Sequence, residues 1–403
     1  MTDVRPDVSG VPEIDLTDIE VLRDPAAAYG RVRERSPLAR LQAPGMRPMW
    51  VLTRYEDARA MLNDPRFELS ADSFMRPTGI PEHCLVYMRT MQEMEGPEHT
   101  RLRRLVSPAF TARRAVDFRP RIEPIVENLL DDLADHAEGG SVDLLAHFAR
   151  PLPIEVICEL VGIPESDRPR WREYGAAVAA GWGPALADAI PGIMEGAKRA
   201  VAVRRAEPGN DLISDLIHTQ ADDQGRLSGT EMVTLVWNLV LAGQTPTNLI
   251  ANAVDTLLRH PGQLAALRED TGLMPRAVEE LTRWCGPQLL TIPRHPREDV
   301  EIGGVLIRAG EPVTAAIVSA NRDPRAFADP DRLDVSRAAG PSGHLGYAHG
   351  PHFCLGAALA RVQVEIALIA LLRRFPDLAL AGQAAGRVPD PGTWRLASLP
   401  VTL

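Results

Sequence analysis

Lysine is almost missing from this chain. Lys198 is the only one among 44 basic residues, and 54 acidic residues leave a formal net charge of −10. A protein that grips phosphates carries the opposite balance, so neither a nucleic-acid partner nor a basic membrane-surface anchor is expected. Aromatic residues are scarce at 5%, which argues against an array of stacking side chains. Cysteine is rarer still. Cys84, Cys158, Cys285 and Cys354 lie far apart and no two form a Cys-x-x-Cys pair, so a disulfide framework or a thiolate zinc site is not expected. No uninterrupted apolar run reaches the ~18 residues of a membrane span. The opening stretch MTDVRPDVSGVPEIDL has neither the basic nor the apolar region of a secretory signal. The expected location is the reducing cytoplasm.

What is present is ample apolar material, 45% of 403 residues, enough for one large domain or two medium ones with an interior cavity. Helical patterning dominates. Strand-like segments are short: Trp50–Thr53, Val300–Ile307 and Leu399–Leu403. Pro324, Pro330, Pro341 and Pro351 punctuate a turn-rich stretch from Asn321 to His352. With no βαβ alternation, the pattern predicts a mainly α fold with small β-sheets.

Ser228 followed three residues later by Glu231 is a capping box before an apolar run that continues to about His260, where Pro261-Gly262 stops it. At ~1.5 Å per residue this predicts a rod of nearly 50 Å. Gly243 and Pro246 interrupt it. Proline donates no backbone hydrogen bond and clashes with the carbonyl four residues back, so a kink near Ala242–Thr247 is expected. The Ala242 carbonyl should then be free to hold a water or a small polar ligand.

The stretch from His344 to Arg361 reads HLGYAHGPHFCLGAALAR. Gly346, Gly350 and Pro351 predict a shaped loop. After Cys354, the residues Leu355, Leu359, Val362, Ile366 and Ile369 fall on one helical face, with Arg361, Glu365 and Arg373 elsewhere. Cys354 is therefore placed at a helix N-terminus, where the dipole and unpaired N–H groups favour a thiolate. Such a thiolate serves a nucleophile with His352 as base, or an axial ligand to haem iron. The plainest alternative is a buried structural cysteine.

The loop resembles the haem-ligand signature of the cytochrome P-450 family, Phe-Gly-x-Gly-x-His/Arg-x-Cys-x-Gly. Gly350, His352, Cys354 and Gly356 match it; Tyr347 replaces Phe and Ala348 replaces Gly. The resemblance extends over nearly the whole chain. It implies the family's fold, with haem between a long central helix and the Cys-ligand loop in a single domain over 1–403. It implies haem b (iron protoporphyrin IX) on Cys354, beside the aromatic ring of Tyr347. Glu280-Leu-Thr-Arg283 looks like the family's Glu-x-x-Arg pair, which together with Arg337 implies a buried structural network. His99 and Arg103, at i and i+4 in GPEHTRLRR, match haem-propionate contacts, as do Arg294 and His352.

The interrupted helix resembles the oxygen-activating helix, whose central pattern is Ala-Gly-x-Asp/Glu-Thr-Thr. Here it reads Ala242-Gly243-Gln244-Thr245-Pro246-Thr247. One register places Thr245 at the acid position, the other places Gln244 there and Thr245 at the threonine; in both the acid is missing. Proton delivery is then expected to rest on Thr245, with Gln244 and Thr247 as neighbours, or on water or substrate; alternatively both threonines bond their own helix carbonyls.

By the same resemblance, the segment from Ser70 to Met94, the helix face from Trp237 to Thr245, and the residues Gln288, Leu289, Leu290, Thr291, Ile292 and Trp394 line a largely apolar substrate pocket. The expected enzyme is an actinomycete-type, cytoplasmic oxidoreductase of secondary metabolism that oxidises a small or medium apolar or aromatic metabolite. Its electrons should come ultimately from NAD(P)H through a separate ferredoxin or flavodoxin and its reductase. Arg103, Arg104, Arg113, Arg114 and Arg361 offer a basic patch for such a partner. Three other readings stay open: oxidative C–C or C–N coupling of an aromatic natural product without oxygen insertion, a haem carrier or sensor without turnover, and a Cys354–His352 hydrolase.

Overall fold

A computed structural model of the chain describes residues 10–74, 76, 78–179, 184–222, 227–338, 340, 343–382 and 386–403. Residues 75 and 77, inside the expected 70–94 pocket segment, lie outside the described residues, as do Pro341 and the first nine positions. Helices dominate and strands are short, as the periodicity predicts. The chain groups into two compact units. The first comprises Met1–Ser73, Asn252–Cys354 and Ala385–Ala397; the second comprises Phe74–Ala251, Leu355–Ala384 and Ser398–Leu403.

In the first unit, four strands form one sheet in the order Glu13–Asp15, Leu38–Gln42, Met49–Leu52, Val313–Ala315. The outer two pairings are parallel and the central one antiparallel. Side chains alternate between faces along a strand. Trp50 and Leu52 accordingly join one buried cluster with Tyr55, Phe67 and Ile307, while Val51 joins a second with Tyr29 and Leu41. The predicted Val300–Ile307 segment is a hairpin. Its strands, Val300–Ile302 and Val305–Ile307, are joined by Gly303 and Gly304 at φ 58° and 79°, a turn that needs positive φ at both centres.

The second unit is built on helices. Ala357–Arg374 packs against Arg119–Leu133, with an Arg119–Glu365 ion pair and Arg373 at 2.6 Å from Glu127. Its buried residues, among them Leu359, Val364, Leu368 and Leu372, lie all around the helix. The single apolar face expected from the sequence is therefore too narrow, because neighbouring elements cover this helix on several sides. The strand expected at Leu399–Leu403 is Pro400–Thr402, paired with Ala379–Leu380 and Val142–Asp143.

The predicted capping box is present. Ser228 Oγ accepts the Glu231 N–H at 3.1 Å, and Glu231 Oε2 accepts the Ser228 N–H at 2.8 Å. The single 50 Å rod is not. The helix Gly229–Ala242 ends, and Pro246–Arg259 starts anew. Between them the bonding tightens from i−4 to i−3, with Gln244 N–H on the Leu241 carbonyl at 3.4 Å and Thr245 N–H on the Ala242 carbonyl at 3.3 Å. Gly243 and Pro246 together account for the break, since one favours no helical backbone and the other lacks the donor that would continue the ladder.

Candidate haem-thiolate site

Three of the four cysteines are sealed and the fourth is exposed. Burial raises the thiol pKa of Cys84, pushes Cys158 up to about 12 and pushes Cys285 up to about 11. Those three are inert packing groups. Cys354 alone among them is open to a ligand. It sits two residues ahead of Gly356, the N-cap of Ala357–Arg374, so the helix begins slightly later than the sequence places it.

The loop before Cys354 is held by its backbone. Cys354 N–H donates to the Tyr347 carbonyl at 2.9 Å, and Ala348 N–H to the Leu345 carbonyl at 2.9 Å. Asn321 Oδ1 accepts the Leu345 N–H at 2.7 Å. Gly350 lies at φ 74°, and a Cβ there would stand 2.5 Å from the Leu62 carbonyl oxygen, so only glycine fits. Ala348, where the family signature has glycine, also takes a left-handed conformation at φ 59°. Tyr347 is buried, its ring 6.5 Å from the Phe353 ring in an edge-on arrangement. His352 is half-buried within the short 3₁₀ turn Gly350–His352. Arg294 is buried, and its Nη1 donates to the Leu62 carbonyl at 3.0 Å.

Glu280, Arg283 and Arg337 meet in one hydrogen-bonded network. Arg283 donates Nε and Nη2 to the two Glu280 oxygens at 2.7 and 2.8 Å, and Arg337 Nε reaches Glu280 Oε2 at 3.0 Å. The Asp334 N–H also donates to Glu280, at 3.0 Å. Glu280 and Arg283 are both buried, so this network ties the 330–337 turn to the Met274–Cys285 helix and leaves no free group for chemistry.

The second unit carries His99, Arg103, Trp237, Ala242, Gln244, Thr245 and Thr247. His99 and Arg103 share one face of the helix Gly96–Val106, with His99 buried and Arg103 half-buried. In the apolar Gly229–Ala242 region, Ala242 is exposed, and Thr245 three residues on is exposed too. The Ala242 carbonyl is not free, contrary to expectation. It accepts the Thr245 Oγ1 hydrogen at 2.9 Å as well as the Thr245 N–H. The tightened turn brings Thr245 round to replace the donor that Pro246 lacks, so the back-bonded arrangement is the one observed for Thr245. Gln244 turns elsewhere. Its side chain fills the space at Gly175, where a Cβ would lie 2.0 Å from Gln244 Oε1, and its Nε2 donates to the Leu241 carbonyl at 3.3 Å. Thr247 is half-buried. Gly175 was invisible to sequence reasoning, because a glycine 69 positions from its partner leaves no local signal.

The expected substrate-side residues are distributed over both units. Gln288, Leu289 and Trp394 line a charged crevice in the first unit. Thr291 is engaged with Thr314, their hydroxyls 3.1 Å apart, and Ile292 is exposed. Trp237, in the second unit, donates Nε1 to the Tyr87 carbonyl at 3.1 Å.

The donor set fits haem. Among the described residues, no cluster of three or more His, Cys, Asp or Glu side chains could hold a bare metal ion. One accessible thiolate suits an iron that brings its other ligands in a macrocycle. Among the described residues, no helix is long and apolar enough to cross a membrane.

Comparison with known proteins agrees with this donor set. The cytochrome P-450 family model matches residues 186–384. The cytochrome P-450 monooxygenase PikC of Streptomyces venezuelae is 40% identical, with 97% of this chain and 94% of that protein aligned. The mycinamicin IV hydroxylase/epoxidase of Micromonospora griseorubida is 42% identical over 88% of this chain and 89% of its own. A solved structure of a variant of the mixed-function enzyme MycG with mycinamicin IV superposes with a TM-score of 0.86 at 38% identity, covering 98% of this chain and all of the other. The chain belongs to the cytochrome P-450 family. It has that family's fold and is a haem-thiolate monooxygenase, which sets aside the carrier and hydrolase readings.

Proposed function

We propose that the chain hydroxylates or epoxidises a small or medium apolar metabolite of actinomycete-type secondary metabolism, working as one cytoplasmic domain over residues 1–403. Bound haem b supplies the activation of O2 with two electrons and two protons, and the thiolate donor favours O–O cleavage. Cys354 would hold the haem iron through its thiolate, and its exposure, when the other three cysteines are sealed, carries the proposal. His99, Arg103, Arg294 and His352 are assigned to the propionates, where cationic donors neutralise carboxylates through charge-assisted bonds. Tyr347 supplies an aromatic ring on the ligand-loop side, and Ala242 a small side chain on the oxygen side. Thr245 is assigned to the oxygen side. Its hydroxyl hydrogen lies on the Ala242 carbonyl, so its oxygen lone pairs are oriented to accept a hydrogen bond from water or substrate. Gln244 supports this turn through its Nε2 bond to the Leu241 carbonyl, and Thr247 is assigned to the start of the second helix beside it.

Electrons are assigned to a separate ferredoxin or flavodoxin, reduced ultimately by NAD(P)H through its reductase. Arg113 is widely exposed, with Asp117 3.8 Å away, and contributes to a basic docking patch for that acidic partner. The relative that hydroxylates and epoxidises mycinamicin IV supports oxygen insertion. Oxidative coupling of an aromatic substrate remains the second reading. It is favoured by the absence of a carboxylate between Ala242 and Ile250 and by the back-bonded Thr245.

The test is turnover of the holoenzyme with a surrogate ferredoxin system across candidate metabolites, followed by product mass spectrometry. Oxygen insertion adds one oxygen atom; coupling removes hydrogens. Cys354→Ser is expected to abolish both turnover and the thiolate-type Soret band of the reduced carbon monoxide complex. A variant that kept that band would overturn the ligand assignment.

A further inference from the structure

In one register, Gln244 stands where the family pattern has a carboxylate. Its surroundings show why an amide suits that place. In a regular helix the Leu241 carbonyl would accept the Thr245 N–H, the donor four residues on. Here that N–H bonds the Ala242 carbonyl instead, and Leu241 keeps the Gln244 N–H at a long 3.4 Å. Leu241 is buried, so a poorly paired carbonyl there is costly. Gln244 Nε2 donates to the same oxygen at 3.3 Å. A carboxylate has no hydrogen to give and would set oxygen against oxygen.

The other end of the amide is held by a second element. Gly175 lies inside the helix Arg168–Ala179 and is buried. Glycine weakens a helix interior, and this one is not in the left-handed region, so conformation does not call for it. Space does. A Cβ at Gly175 would fall 2.0 Å from Gln244 Oε1 and 2.6 Å from Gln244 Cδ, so the amide occupies the place of the missing side chain. The same helix is seated on another neighbour, Pro184–Ala206. Tyr174 lies against Gly192, where a Cβ would stand 2.6 Å from the hydroxyl, and Trp171 lies against Gly196, at 3.4 Å. The two rings pack edge-on with centroids 5.6 Å apart. Arg168–Ala179 is thus keyed to one helix by two aromatic rings and to the Ala242–Pro246 turn by one glycine.

We propose that Gln244 is a positioning residue, not an acid lost from a proton relay. Seated on Gly175, its amide closes the turn that points the Thr245 hydroxyl at the Ala242 carbonyl, 2.9 Å away. The placement of Arg168–Ala179 thereby sets the orientation of that hydroxyl. The bearing of this latch on the reaction rests on the assignment of Thr245 to the oxygen side; the latch itself does not.

Two readouts on the haem-loaded enzyme test it without a substrate. Amide hydrogen exchange over residues 241–247 reports closure of the turn. The infrared stretch of carbon monoxide on the reduced haem reports whether the Thr245 hydroxyl reaches the bound ligand, because a donated hydrogen bond lowers the C–O frequency. Gln244→Glu keeps the shape and loses the donor; Gly175→Ala keeps the donor and removes its seat. Each is expected to speed exchange about fivefold, the scale of one lost hydrogen bond. Each is also expected to lower the C–O frequency, as the freed hydroxyl turns away from Ala242. Gly175→Ala added to Gln244→Ala is expected to change nothing further, since no amide is left to displace. Unchanged exchange in both Gln244→Glu and Gly175→Ala would overturn the proposal, as would additive effects in the double variant. Should Gly175→Ala fail to load haem, Gln244→Glu decides: exchange at the wild-type rate refutes the latch. Faster exchange with an unmoved C–O band upholds the latch and overturns instead the oxygen-side assignment of Thr245.

Discussion

Ala348 and Gly350 adopt similar left-handed conformations two residues apart in the ligand loop, at φ 59° and 74°, but they stand on different physical ground. Gly350 is required by space as well as by φ, because the Leu62 carbonyl blocks any Cβ. At Ala348 a Cβ is already present, and the strain is conformational, about 1–2 kcal/mol for an L-residue in this region. Ala348→Gly is therefore expected to stabilise the holoenzyme by about 1 kcal/mol, after allowing for the extra freedom glycine gives the unfolded chain. Gly350→Ala is expected to destabilise it. Thermal unfolding of the two variants checks the pair, and a lowered midpoint for Ala348→Gly would show that the Ala348 methyl makes packing contacts worth more than its strain.

Among the elements, the broken helix pair bears most directly on chemistry. Gly243 closes the first helix against the helix Pro151–Val161, and a Cβ there would lie 2.5 Å from Ile157 Cγ1 and 2.7 Å from Ile157 Cβ. Ile157 is buried and branched, so it has little room to yield. Gly243→Ala is expected to cost about 1–3 kcal/mol by overpacking. Adding Ile157→Ala should recover part of that loss, because the clash partner is removed. If urea unfolding shows the two changes to be simply additive, the contact does not govern the break. Gly175 plays the matching part for Gln244, but there the obstructing atoms are the end of a flexible side chain, so substitution costs less.

For the molecule as a whole, His295 and the lowered carboxylates Asp299 and Asp334 work in one direction, while burial raises the Asp57 carboxyl and opposes them. Burial holds the His295 imidazole below its usual 6.5. The Ala309 N–H and the Arg308 guanidinium hold the Asp299 carboxyl below its usual 3.8, and Ser336 does the same for Asp334. In each case the unfolded chain binds protons that the folded one refuses, so stability rises with pH. The histidine's contribution is expected to be lost as pH falls through about 6.5, and the carboxylates' as it falls further, through about 4 and below. Thermal midpoints across this range should decline in those two stages, and His295→Gln should flatten the upper one. A midpoint that rose on acidification would contradict the assignment.

The sequence alone settled what depends on near neighbours. The Ser228–Glu231 cap, the glycines of the ligand loop and the i, i+3 pairing of Glu280 with Arg283 are short-range geometry, legible from spacing, whereas Val300–Ile307, which reads as one strand-like segment, is turned into a hairpin by Gly303-Gly304. It also narrowed the reactive thiol to one of four, because only Cys354 stands in a glycine-rich loop before a helix. Residues far apart in the chain decided the rest. Whether the Ala242 carbonyl is free depends on how Thr245 turns, and where Gln244 points depends on Gly175. Asp255 is met by both Arg259 and Arg387, more than a hundred positions apart in the chain. Hydrogen bonds and ion pairs are satisfied by whichever group the fold brings within about 3 Å, and that choice is made by packing, which no local pattern records.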